Sequence, residues 1–377
     1  MPNEMMTLVN AKEDPAIEER KKVVEDLKKE MAKPKVVPEE KQRKFSKEEV
    51  TQIVQEQLEK SEPKEELTAK DLQKIIVVTG GAGFIGTHLI KELNDQGRED
   101  ILLVDDLTDP RKIHNINTLK FQDYADKNKF LELLGFLAEN KMIERIYHLG
   151  AESSRFCTDG KYLMENNFQY TCNIMDNCHM HNIPLVYASS AAVYGQVNTL
   201  AAEDADDSYV LTSFDDCRDN YVPKSFYAMS KLQADRYSRK FMPNHQDRII
   251  GLRYFNVISE GEHEQHKDDM KSALCWMTEQ YKKDGEILLY EGSKEIKRDF
   301  VHVKEAVRMT INAMRRGSSG IYNIGTGTAK SFYDLAADIV EKDFGSDYTN
   351  IKFIPMPRGI AEGYQNFTQA NMSNFPI

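Results

Sequence analysis

The strongest constraint on this chain is a short apolar strand that runs directly into a glycine-rich turn. Ile75-Ile-Val-Val-Thr79 is followed by Gly80-Gly-Ala-Gly-Phe-Ile-Gly86, with Gly80, Gly83 and Gly86 three residues apart. Glycine at those positions permits a tight turn, a close backbone approach to a pyrophosphate, and close contact between helix and strand. A helix starting there points its free N–H groups at the phosphates. The next apolar run, Ile101-Leu-Leu-Val-Asp105, ends in a carboxylate placed to bind ribose hydroxyls. The expected ligand is therefore a dinucleotide, NAD or NADP. Asp105 and Asp106 repel a 2′-phosphate, whereas Arg111, Lys112 and Lys127 attract one if they fold back over the ribose.

Further apolar runs recur at residues 145–149, 184–189 and 248–255, separated by helix-period segments such as 84–94 and 225–241. Near-continuous apolar strands alternating with helices predict an α/β fold, a Rossmann-like doubly wound parallel sheet covered on both faces. The first 74 residues have a different texture. Of these, 34 are charged, none is glycine, and Phe45 is the sole aromatic. This composition cannot bury a core of its own. Two narrow apolar stripes, Ile17/Val24/Leu27/Met31 and Val50/Ile53/Val54/Leu58, have helical spacing. The expected organisation is a charged, partly helical extension over 1–74, a dinucleotide-binding domain over 75–257, and a substrate lobe over 258–377. Rossmann elements are expected to return at about 298–330.

A net charge of −11 argues against bulk nucleic-acid binding. No run is apolar for long enough to span a membrane. Five cysteines without a CxxC pair, and a start lacking an apolar leader segment, indicate a reducing compartment, the cytoplasm or the mitochondrial matrix, rather than secretion. The Cys178-His-Met-His181 run has no second ligand pair, so no metal is expected.

The chemistry is carried by a second set of residues. Ser190 ends the strand Tyr187-Ala-Ser-Ser190, and Tyr227 and Lys231 are i and i+4 on one helix face. An ammonium favours the phenolate of a neighbouring tyrosine, which can take a carbinol proton while hydride leaves the carbon. Ser190 can hydrogen-bond the same oxygen.

TGGAGFIG, YASSAAVYG and YAMSK together resemble the extended short-chain dehydrogenase/reductase family, the NAD-dependent epimerases and dehydratases of sugar nucleotides. Further runs, YEGSKEIKRDFVHV and IYNIGTGTAKSF among them, resemble its ADP-glyceromanno-heptose 6-epimerase branch over roughly residues 74–374. That resemblance implies oxidation of an exocyclic carbinol by a tightly held cofactor, followed by hydride return to the opposite face. It implies acid–base roles for Tyr227 and Lys267. It places Phe84, Ile85, Asp105, Asp106, Lys112, Lys127, Leu149, Gly150, Ala151, Asn166, Lys231 and Val257 on the cofactor. It places Asn256, Tyr290, Glu291, Gly292, Ser293, Arg298 and Tyr364 on a nucleotide-diphosphate sugar.

The departures lie in the second half. The run Ile258-Ser-Glu-Gly-Glu-His-Glu-Gln-His-Lys267 is more acidic and longer than the family's turn, and its histidines read as solvated loop residues. Trp276 stands where a substrate-binding histidine is expected, and Asp269 where a small hydroxyl residue is expected. The final helical segment that the resemblance implies is absent after FTQANMSN. Two readings follow. One is a sugar-nucleotide epimerase, forming a homo-oligomer. The other is a non-catalytic, dinucleotide-binding accessory subunit tethered to a larger assembly by residues 1–74.

Overall fold

The computed structural model describes residues 74–154, 157–195, 221–242, 248–261, 263–344, 348–357 and 366–376. The extension up to residue 73, the acid-rich stretch 203–217 and Tyr364 therefore lie outside the described residues.

Seven parallel strands form the main sheet: β1 (Ile75–Thr79), β2 (Ile101–Asp105), β3 (Asp123–Asp126), β4 (Ile143–His148), β5 (Leu185–Ser190), β6 (Ile249–Tyr254) and β10 (Gly320–Ile324). Their order is β10-β6-β5-β4-β1-β2-β3. Every pairing is parallel. The strand order reverses between β1 and β4, which is where ligands bind in open α/β sheets. β1, β2 and β6 are buried along their whole length, because helices cover both faces. One layer of core joins Ile76, Val78, Leu89 and Leu103 to Val307 and Met314. The opposite layer joins Val77, Leu102 and Phe130 to Ile174 and Leu185.

The helices around this sheet are α1 (Phe84–Asp95), α2 (Ile113–Ile116), α3 (Lys127–Glu139), α4 (Gly160–Leu163), α5 (Tyr170–His181), α6 (Phe226–Ser238) and α8 (Val303–Arg316). A π-helical turn over Met164–Gln169 joins α4 to α5. Close fit decides one residue inside the sheet. Tyr187 on β5 pairs in register with Gly251 on β6, and a Cβ at Gly251 would lie 2.3 Å from the Tyr187 hydroxyl.

The second half builds smaller sheets. β7 (Asn256–Ile258), β9 (Lys297–His302) and β11 (Ala329–Ser331) form one, in the order β11-β9-β7. β8 (Ile287–Tyr290) and β12 (Ile351–Ile354) form the other. Helices α7 (Ala273–Asp284) and α9 (Phe332–Phe344) pack over them around Met277, Ile287, Leu289 and Val340. Trp276, at the position of the expected substrate histidine, packs against this core. Among the described residues, no helix is long and apolar enough to cross a membrane.

Candidate active site

The glycine turn has the shape expected of a phosphate cradle. Gly80 adopts φ +69°, in the left-handed region that favours glycine. A Cβ at Gly86 would fall 2.0 Å from the Gly80 carbonyl oxygen, so no other residue fits there. Gly83 precedes α1 without a side-chain cap, and no acid occupies the first turn. The first N–H groups of α1 are thus kept from a competing carboxylate and suit an anion. Gly80 lies against the Gly150 backbone, and Leu149 N–H donates to the Thr79 carbonyl at 3.0 Å. The predicted cofactor residues Leu149, Gly150 and Ala151 thus follow β4 directly beside the glycine turn.

His148 fixes this junction from below. The Thr171 hydroxyl donates to the Asn167 carbonyl at 2.6 Å, so its oxygen accepts from His148 Nε2 at 2.9 Å. His148 Nδ1 then accepts the Thr79 hydroxyl at 2.6 Å. The ring is therefore neutral. Burial, helped by the Lys231 charge, pushes its pKa down to about 3. Asn167, in the π-helical turn, accepts from Glu152 N–H and donates to the Glu152 carbonyl, both at 2.9 Å. This pairing holds the segment after Ala151 in place.

Asp105 is buried at the end of β2. Its Oδ2 accepts the Ala82 N–H at 2.8 Å, which ties the strand end to the glycine turn. Lys112 donates to Asp105 Oδ1 at 2.7 Å and to the Asp106 carbonyl at 2.7 Å. Lys127 lies 3.9 Å from Asp106 and 3.3 Å from Asn166 Oδ1. Arg111 binds Asp109 at 2.8 Å and reaches the His266 carbonyl at 3.3 Å.

The segment after β7 also departs from its expectation. It is not a solvated loop. Glu264 is fully buried and accepts the Ser259 hydroxyl at 2.7 Å and the Ser272 N–H at 2.6 Å. His266 Nδ1 lies 3.1 Å from Asn115 Nδ2, and Asn115 Nδ2 also donates to the Ala82 carbonyl at 2.8 Å. His263 meets His88 edge-on, with ring centroids 5.1 Å apart. Lys267 pairs with Glu264 at 3.4 Å and sits 4.7 Å from the Phe84 ring centroid. The segment is thereby laid across the start of α1. Asn115 and Glu264, which the sequence did not mark, are the partners that hold this segment.

The Ser, Tyr and Lys group is assembled by α6 and β5. Ser225 caps α6 by accepting the Ala228 N–H at 3.1 Å. Lys231 is buried and donates to the Ala188 carbonyl at 2.7 Å, two residues before Ser190. This bond pins the helix face that bears Tyr227 to the carboxyl end of β5. Ser190 Oγ accepts the Ala192 N–H at 3.2 Å and caps the turn that follows. Burial lowers the Lys231 pKa to about 8, while Asp235, one helical turn on, opposes the fall. Asn256 and Val257 lie half-buried on β7. Tyr290, Glu291, Gly292 and Ser293 form the turn after β8, closed by Ser293 N–H on the Tyr290 carbonyl at 3.1 Å. Arg298 is buried on β9 and lies over the Phe332 ring. Among the described residues no cluster of histidine, cysteine and carboxylates has the make-up of a metal site.

A parallel sheet with a glycine cradle at its switch point, and a strand and helix that carry a serine, a tyrosine and a lysine, define a nicotinamide-dinucleotide fold of the short-chain dehydrogenase/reductase type. Residues 76–325 match the family model described as the NAD dependent epimerase/dehydratase family, and the chain belongs to that family. NAD or NADP is the cofactor class for which the cradle and Asp105 are built.

The fold is similar to that of Helicobacter pylori ADP-L-glycero-D-manno-heptose-6-epimerase, with 24% identity and a TM-score of 0.66 over 80% of this chain and 88% of that one. It is also similar to Methanobrevibacter ruminantium UDP-N-acetylglucosamine 4-epimerase, with 24% identity and a TM-score of 0.61 over 80% of this chain and 90% of that one. Bacillus anthracis dTDP-glucose 4,6-dehydratase, solved with NAD, is 21% identical, with a TM-score of 0.63 over 80% of this chain and 89% of that one.

Proposed function

We propose that this chain is a nucleotide-sugar epimerase that inverts a carbinol of a diphosphate sugar through transient oxidation, with an ADP-heptose as the favoured substrate class. The observation that supports the reading is the bond from Lys231 to the Ala188 carbonyl, because it holds the helix that bears Tyr227 against the strand that ends in Ser190. A bound nicotinamide dinucleotide supplies the hydride acceptor and, on return, the hydride donor. Gly80, Gly83 and Gly86 would hold its pyrophosphate, and Asp105 with Lys112 would meet its ribose. The Tyr227 phenolate takes the hydroxyl proton as hydride leaves the same carbon, which becomes a carbonyl. Lys231, as an ammonium, stabilises that phenolate, and Ser190 hydrogen-bonds the substrate oxygen. Inversion requires the carbonyl intermediate to turn over within the site, so that its opposite face would receive the hydride as the oxygen regains a proton. Lys267 is the residue the family resemblance offers for that face. Arg298 offers a fork of donors for the substrate diphosphate. The Lys112 cation beside Asp105 supplies a charge that a 2′-phosphate would meet, which supports NADP.

Tyr227→Phe keeps the ring and removes the proton acceptor. Turnover of an ADP-heptose should fall on the order of 10²–10⁴-fold with cofactor still bound. Equal turnover in the two proteins would remove Tyr227 from the mechanism. A wild-type protein that holds dinucleotide and converts no sugar nucleotide would favour the non-catalytic subunit.

A further inference from the structure

The residue that follows Lys231 by one helical turn is also fully enclosed. Tyr227, Lys231 and Asp235 occupy one stripe of α6 at successive i+4 positions, with the lysine in the middle. Asp235 is 1% exposed. Its Oδ2 accepts Arg253 Nε at 2.8 Å, and its Oδ1 accepts the Tyr187 hydroxyl at 3.0 Å. Arg253, on β6, has no exposed surface, and its guanidinium lies over the rings of Tyr194 and Tyr221 at 4.9 and 5.4 Å. Tyr187 is itself fixed by Ser238, at 2.9 Å, and by the space that Gly251 leaves for it. Asp235 therefore has a set position and orientation, held from the sheet rather than from solvent.

A buried ion pair of this kind is poor evidence for stability, because the cost of desolvating both charges rivals their attraction. Its retention asks for another role, and the neighbouring ammonium supplies one. Among the described residues, the groups around Lys231 are Tyr227 and Asp235, one turn before and one turn after it on α6, and His148 on β4, which is neutral. Tyr187 on β5 and Arg253 on β6 bind the Asp235 carboxylate. Asp235 is the carboxylate in this described group. Burial alone would drive Lys231 towards a free amine, which cannot stabilise a phenolate.

We infer that Asp235, pinned by Arg253 and Tyr187, is the counter-charge that keeps Lys231 an ammonium behind Tyr227, a positioning residue for the proton transfer. Resting on the epimerase reading for its purpose, the arrangement explains why a buried carboxylate follows the tyrosine and lysine at the same spacing. Arg253 has two effects in it. It holds the carboxylate in place, and it offsets part of the carboxylate's field at Lys231.

The test reads the charge of Lys231 directly. Protein carrying lysine labelled with ¹³C at Cε is titrated by NMR, and the Lys231 signal is identified by its loss in Lys231→Met. The wild-type signal should titrate near pH 8. Asp235→Asn keeps the shape and removes the charge, and should move that midpoint to more acid pH by on the order of one unit. The ammonium fraction at pH 8 would then fall severalfold. Asp235→Asn leaves Arg253 charged and unpaired, which can prevent folding. The double variant Asp235→Asn/Arg253→Gln leaves no unpaired charge, and should show a smaller shift in the same direction.

A purely structural role gives the opposite sign, because loosened packing hydrates Lys231 and moves its midpoint towards that of a free lysine. An unmoved or alkaline-shifted midpoint in the folded variants overturns the inference. The functional reading fails separately. A wild-type protein that turns over no sugar nucleotide refutes the epimerase while an acid shift still stands. A wild type that turns over substrate, with unshifted variants, refutes the role of Asp235.

Discussion

The two halves of the molecule hold their sites by different means. In the cofactor half the backbone makes the site. Gly80 and Gly86 allow a turn that any Cβ would obstruct, and Leu149 and Gly150 close on it through main-chain contacts. In the second half, over β7, β9 and β11, buried carboxylates do the holding. Asp299 accepts the N–H groups of Thr326, Gly327 and Ala370, at 2.7, 2.8 and 3.0 Å, and the Thr326 hydroxyl at 2.7 Å. One side chain thus joins β9, the turn before β11 and the segment around Ala370. Glu264 does the same for Ser259 and Ser272. A site made of backbone tolerates changes to most of its side chains. A site hung on single charges depends on each of them.

The largest expected effect follows from that difference. Gly86→Ala puts a methyl group 2.0 Å from the Gly80 carbonyl oxygen, a contact that only backbone movement can relieve. Overpacking of this kind costs roughly 1–3 kcal/mol or more, and here it distorts the phosphate cradle itself. Dinucleotide affinity measured by calorimetry should fall at least on the order of 100-fold. Unchanged affinity would mean that the cofactor half is not held by its backbone.

Asp299→Ala tests the other half. It removes the acceptor of three N–H groups, of which that of Ala370 is buried, at about 1–3 kcal/mol for a group that finds no water. Urea unfolding should show a loss of roughly 1–3 kcal/mol. Dinucleotide affinity should stay within about twofold of the wild type, because Asp299 touches nothing in the glycine turn. An equal loss of affinity would show that the two halves are one unit and break the contrast.

The same contrast sets what was legible in the sequence. A glycine triplet after an apolar strand is a local signal, and it correctly placed β1, the turn and α1. The apolar runs at 101–105, 145–149, 184–189 and 248–255 also became main-sheet strands. β3 escaped notice because an edge strand reading Asp-Tyr-Ala-Asp has no apolar run to announce it. The spacing of Tyr227 and Lys231 was legible, but the charge that tunes the lysine was not singled out, although Asp235 repeats the same interval. The acidic stretch 258–267 misled in a physical way. Its charges read as solvent-facing, and only the fold reveals that Glu264 is enclosed by Ser259 and Ser272 and that His266 meets Asn115. Such partners are adjacent in space and distant in sequence, so no periodicity encodes them.

The smallest expected effect sharpens the contrast inside the cofactor half, where one charged contact does sit on the backbone frame. Lys112 donates to Asp105 Oδ1, and its side chain is 17% exposed against 9% for the aspartate. Asp105 keeps its bond to the Ala82 N–H whether or not Lys112 is present, so Lys112→Ala should leave the turn intact. What changes is the charge at the ribose edge. NAD presents a hydroxyl pair there, which a bare carboxylate accepts as readily as a paired one. NADP presents a 2′-phosphate, which loses a neighbouring cation and meets an uncompensated carboxylate. NADP affinity should fall about tenfold, matching the ~1.4 kcal/mol expected of one largely buried charged contact. NAD affinity should change by less than about twofold. Titrating both dinucleotides into wild type and Lys112→Ala gives the four constants needed. An equal fall for both would mean that Lys112 supports the turn rather than reading the ribose, and that the cofactor half also hangs on a single charge.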